Sequence, residues 1–120
     1  MQNAVLTALK AMRPPFALYE YDIHQMVGDC LREAGLPCIH EAKIGKGCRI
    51  DYLVGDVGIE IKKGKPIPRL LLQQLNRYAA CDCLGSLIVL TQRSIKMPDK
   101  VGGKPLTHLS ISQLWGVALP

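Results

Sequence analysis

One segment constrains the fold more than any other: Leu84-Gly85-Ser86-Leu87-Ile88-Val89-Leu90-Thr91, a short and almost continuously apolar run. A run of this length and character reads as a strand buried on both faces of a sheet, so it belongs at the centre and needs cover above and below. That requirement points to an α/β arrangement, with helices supplying the cover. At 120 residues and 48% hydrophobic content, the chain is long enough for one such core and too short for two ordinary ones. A single domain over residues 1–120 is therefore expected.

The rest of the pattern supplies partners for that strand. Residues 3–12 suit a short helix, ended by Pro14 and Pro15, which lack amide donors and disfavour helix in the preceding residue. From about Ala17 to Ala34, Ile23, Val27, Cys30, Leu31 and Ala34 recur at helical spacing, and Gly35 followed by Pro37 supplies the stop. Strands are expected at 38–44, 48–54 and 57–63, separated by Gly45 to Gly47 and by Gly55-Asp56, with the second and third forming a hairpin. Residues 66–80 return to helical spacing through Leu71, Leu72, Leu75 and Ala79, with Pro66 and Pro68 near the start, where proline is tolerated. After the buried run, 92–105 reads as a basic loop, 106–111 as a strand and 112–118 as a short helix capped by Ser112. The order is α-α-β-β-β-α-β-β-α, with no internal repeat.

Composition narrows the function classes. A formal charge of +5 favours polyanionic partners such as nucleic acid. Five cysteines in no disulfide spacing suggest reduced thiols and a cytoplasmic setting, and the one-residue gap in Cys81-x-Cys83 does not match a zinc or redox pair. Lys10 interrupts the apolar start, which argues for a helix there and not a signal peptide. No stretch approaches the roughly 18 continuous apolar residues of a membrane span.

The chemistry lies in two strands. In Gly58-Ile59-Glu60-Ile61-Lys62 the isoleucines point one way while Glu60 and Lys62 point the other. A hairpin through Gly55-Asp56 would bring Asp51, from Arg49-Ile50-Asp51-Tyr52-Leu53, beside Glu60. Two carboxylates then converge with an ammonium. Neighbouring carboxylates repel unless a cation lies between them, and hard oxygens suit Mg²⁺ or Mn²⁺. The bland alternative is a solvent-facing hairpin in which Lys62 makes an ordinary surface pair.

The run Arg49 to Val54, then Gly58-Ile59-Glu60-Ile61-Lys62, resembles the core of the PD-(D/E)xK nuclease superfamily. Its RecB-like branch carries a Gln and a Tyr four residues apart on the following helix, matched by Gln74 and Tyr78. The match covers roughly residues 17–91, with Ile50 where the superfamily often has proline. The resemblance implies a restriction-endonuclease-like αβββαβ core and metal-dependent hydrolysis of DNA phosphodiesters. It makes Asp51, Glu60, Ile61 and Glu20 the metal positions, and Asp51, Glu60, Lys62 and Glu20 the catalytic group. Glu20 and His24, neighbours at i and i+4, continue the Val27 and Leu31 stripe and are candidates from the first core helix, with Glu41 as their competitor. Gln74, Tyr78, His24, Lys63 and Arg77 are the expected supporting or nucleic-acid-binding residues. Arg69, Gln73 and Arg77 form a helical stripe that, with Lys63 and Lys65, could follow phosphates, as could the loop cations Arg93, Lys96, Lys100 and Lys104. A homo-oligomer built on the apolar face of residues 3–12 is a further expectation by analogy. The competing functions are an inactive nucleic-acid-binding module of the same fold, an RNA-directed nuclease, and a partner-binding protein whose acids are surface decoration.

Overall fold

The computed structural model describes residues 1–12 and 20–111, apart from the side chains of residues 20–22. Three helices, α1 (Gln2–Lys10), α2 (Glu20–Glu33) and α3 (Pro68–Ala79), pack on a mixed sheet. Its strands are β1 (Ile39–Gly45), β2 (Cys48–Val54), β3 (Val57–Lys62), β4 (Ser86–Thr91), β5 (Lys100–Val101) and β6 (Lys104–Ser110). They lie side by side as β1-β2-β3-β4-β6-β5. β1, β2 and β3 form an antiparallel meander, β3, β4 and β6 are mutually parallel, and β5 folds back on β6.

The apolar run is central, as its pattern requires. β4 lies between β3 and β6, and all six of its residues are buried. Ile88 and Leu90 face the cluster made with Val5 and Leu9 of α1 and Ile23, Val27 and Leu31 of α2. Leu87 and Val89 face the cluster made with Leu71, Leu75 and Tyr78 of α3. The sheet is thus covered on both sides. The parallel β3-α3-β4 unit sets α3 on one face because such crossovers need a long connection, which the helix provides.

Several expectations change. The basic loop 92–105 contains β5, and β6 begins at Lys104. Gly102 and Gly103 both take positive φ, +56° and +78°, and pair Val101 with Lys104 across a two-residue turn. Two central residues in that region make the turn whose twist suits a tight hairpin. The apolar face of α1 is not spare: Val5 and Leu9 are fully buried in the chain's own core, and the Cys30 thiol of α2 donates to the Ala8 carbonyl at 2.8 Å. That removes the surface on which an oligomer contact was expected. Arg69, Gln73 and Arg77 form an exposed face of α3. The stretches 13–19, with Pro14, Pro15 and the expected helix start at Ala17, and 112–118, with its expected helix, lie outside the described residues.

The β1–β2 hairpin changes faces partway along. Tyr52 and Val54 pack with α1 and α2, whereas Ile50, two residues before Tyr52, packs with α3. On β1, His40 pairs with Tyr52 while Ala42 pairs with Ile50 on the α3 side. Residues two apart on a regular strand share a face, so both strands rotate at the step between these pairs. That step is Glu41 and Asp51, and Glu41 has a φ of +52°, the only positive value at a non-glycine among the described residues. Such a backbone costs on the order of 1–3 kcal/mol and persists where the surroundings enforce it.

Ile88→Ala, which empties a fully buried position on β4, is expected to lower unfolding free energy by about 2–5 kcal/mol in urea titrations. Ile39→Ala, at a position 59% exposed, should stay within about 0.5 kcal/mol of the parent.

Candidate active site

β2 and β3 pair through Val54↔Val57, Leu53↔Gly58 and Tyr52↔Ile59, and there the ladder ends. Beyond it the strands part, and the Asp51 side chain takes the place of a ladder partner: Oδ2 accepts the Ile61 amide at 2.7 Å. The parting opens a cleft of about 500 Å³ at the carboxyl end of β3, lined by His24, His40, Glu41, Arg49, Asp51, Glu60, Ile61, Lys62, Gln74 and Tyr78. In α/β sheets this end of the strands is where ligands commonly bind.

Glu60 is the least expected residue of the cleft on energetic grounds. It is only 2% exposed, and its Oε1 has no hydrogen-bond partner. Its other oxygen, Oε2, lies 3.3 Å from the Lys62 ammonium and 3.3 Å from the Tyr78 hydroxyl. The Tyr78 hydroxyl also reaches the Arg49 carbonyl at 3.0 Å and accepts from Gln74 Nε2 at 2.7 Å. A phenol has one proton to donate, so it cannot serve Glu60 and Arg49 together. Burial and then the negative charge of Asp51 push the Glu60 carboxyl up to about 7, against the opposing pull of Lys62. Burial, with Glu60 and Asp51 next in effect, also raises the Tyr78 phenol. An unpartnered carboxylate oxygen beside a second carboxylate is a costly arrangement. A proton held between Glu60 and Asp51 relieves it in part, and a cation placed there would do the same.

The geometry sorts the expected residues. Asp51, Glu60, Ile61, Lys62, Gln74, Tyr78 and His24 line one cleft. His24 Nε2 lies 3.8 Å from Asp51 Oδ2. Glu41 lines it too, while Glu20 begins α2 with a side chain outside the described residues. Lys63 and Arg77 are exposed and do not line the cleft. Ile61, without a donor in its side chain, can offer a ligand only its main-chain carbonyl. Among the described residues no three His, Cys, Asp or Glu side chains form a ready-made metal cage. His40 and Arg49 were missed by the motif reading. His40 belongs to no spaced motif, and Arg49 enters the sequence reading only as the first residue of the run that carries the resemblance.

Comparison with protein-family models, curated proteins and solved structures finds no match.

The raised Glu60 pKa has a definite sign in stability. Between the ordinary carboxyl value of 4.5 and about 7, the folded chain holds a proton that the unfolded chain releases. The contribution is fully present below pH 4.5 and is lost as pH rises through 7. Metal-free wild-type protein is expected to lose on the order of a few kcal/mol from this group across that window. Glu60→Gln should remove this part of the pH dependence, as chemical denaturation at pH 5 and pH 8 would show.

Proposed function

We propose that the chain is a divalent-metal-dependent nuclease that hydrolyses DNA phosphodiester bonds, with a restriction-endonuclease-like core formed by α2, β1 to β3, α3 and β4. The observation that carries this reading is the unpartnered Glu60 Oε1, buried in a cleft beside Asp51 and Lys62. The motif resemblance supports it: Asp51, Glu60-x-Lys62 and Gln74-x₃-Tyr78 are distant in sequence yet line the same cleft.

The donor set fits Mg²⁺ or Mn²⁺. Asp51 and Glu60 supply carboxylate oxygens and Ile61 a main-chain oxygen, and Mg²⁺ typically uses one or two carboxylates together with waters and substrate phosphates. Glu20 is a further candidate from the start of α2. When bound, the cation neutralises phosphate charge and makes a bound water more acidic. The chain's own groups then have separate tasks. Lys62, tethered two residues from Glu60 on the same strand, orients the attacking water or stabilises negative charge that develops on the phosphoryl oxygens. Gln74 and Tyr78 hold the Glu60 side of the cleft through the bond from Gln74 to the phenol and the contact of the phenol with Oε2. Arg49 and the net positive charge of +5 attract the polyanion. No described helix is long and apolar enough to cross a membrane.

Purified wild-type protein incubated with labelled linear, circular, single-stranded and branched DNA is expected to cut at least one of them in Mg²⁺ or Mn²⁺ and none in EDTA. Lys62→Ala should lower cleavage by about 100-fold or more while leaving DNA retention in gel shifts intact. Retention without cutting by wild type would favour the inactive binding module, and neither activity would reject a nucleic-acid role for the cleft.

A further inference from the structure

We propose that His40 is a positioning residue that holds the His24 ring with Nε2 turned toward Asp51 in the cleft. The purpose assigned to it rests on the metal-dependent reading above, but the arrangement can be tested without a metal.

His24 comes from α2 and His40 from β1, and His24 Nδ1 lies 3.0 Å from His40 Nε2. With Nδ1 so engaged, the remaining ring nitrogen of His24 is Nε2, the atom 3.8 Å from Asp51 Oδ2. His40 is itself braced. Its ring stacks on that of Tyr52 with centroids 4.5 Å apart and planes at 21°, and it meets the His24 ring edge-on at 5.2 Å. Tyr52 in turn is 3% exposed, and its hydroxyl donates to the His24 main-chain carbonyl at 2.7 Å. The three residues close a loop: Tyr52 fixes the backbone of His24 and the plane of His40, and His40 fixes the ring of His24.

The side of the hairpin matters here. His40 pairs with Tyr52 on the face toward α2, immediately before Glu41 and the step where β1 changes faces. Without that step, the regular alternation that puts Ala42 and Ile50 on the α3 side would carry His40 to the α3 side too, away from His24. The rotation at Glu41 and Asp51 therefore lets one hairpin serve both sides of the cleft.

An imidazole that contacts a cation or phosphate through one nitrogen needs its other nitrogen bonded if the ring is to stay in place. A histidine is well suited as that outer partner because its Nε2 can act as donor or acceptor. His40 can thus hold His24 whether Nε2 presents a lone pair to a cation or an N–H to a phosphate oxygen.

The test compares metal-free wild type, His40→Phe, which keeps the stacking ring and deletes the hydrogen bond, and His40→Gln, which keeps an amide for His24. Nitrogen NMR of the His24 ring and Mn²⁺ affinity by calorimetry are the readouts, with thermal unfolding as the control for folding. In His40→Phe the His24 ring resonances should move toward those of an unbonded imidazole and Mn²⁺ affinity should fall about 10-fold, with His40→Gln restoring most of both. Unchanged His24 resonances in His40→Phe would overturn the proposal, and shifted resonances with wild-type Mn²⁺ affinity would overturn the purpose assigned to it. If wild type binds no Mn²⁺ at all, the metal reading falls, while the His24 resonances still decide whether His40 holds the ring.

Discussion

The separation of β2 from β3 at Asp51 is the constraint on which the rest of this site depends. A sheet normally satisfies each inward amide with the neighbouring strand, but here the Ile61 amide is satisfied by the Asp51 carboxylate. One side chain therefore both closes a gap in the ladder and keeps the gap open. The cleft lies in that gap, at the carboxyl end of a strand held on its other side by β4 over its whole length. Glu60 and Lys62 are consequently mounted on a rigid element, paired with Val89 and Thr91, while the opposite wall is a hairpin that has turned away.

The two helices on either face meet the cleft through different means. From the α3 side, Tyr78 spans it, touching the Arg49 carbonyl on β2 and Glu60 on β3. From the α2 side, His24 approaches Asp51 and is tied to β1 and β2 through His40 and Tyr52. Gly28 makes this second approach possible: a Cβ there would come within 2.5 Å of the Tyr52 hydroxyl. Helix packing and the electrostatics of the carboxylates are thus joined. Burial, with Asp51 next in effect, raises the Glu60 carboxyl to about 7, so it is only partly ionised at neutral pH.

Much of the scaffold was legible because its signals are periodic or covalent. The apolar run through Ile88 and Val89 announced a central strand, the Ile23, Val27 and Leu31 stripe announced the buried face of α2, and Gly55 supplied the positive φ, +60°, for the turn between β2 and β3. The alternation of Ile59, Glu60, Ile61 and Lys62 placed the acid and the lysine on one face, and they form an ion pair at 3.3 Å. The Gly102-Gly103 turn was equally present in the sequence, but the surrounding lysines and Pro98 dominated the reading of that stretch as a loop. What was not legible is the rotation at Glu41 and Asp51. It depends on which of two packed faces each residue of the hairpin joins, and a period-two pattern carries no record of a strand that changes faces. His40 and Arg49 owe their places in the cleft to that rotation and the parting of the strands. Their positions in the cleft emerge only in three dimensions.

Growing crystals in Mn²⁺ and mapping its anomalous scattering would test the central claim most directly. The account predicts a peak in the cleft with Glu60 Oε1 and an Asp51 oxygen in its coordination shell, at metal–oxygen distances of about 2.1 Å. A cleft without such a peak, in protein that retains the fold and at saturating Mn²⁺, would contradict it and leave the buried carboxylate without the partner inferred for it.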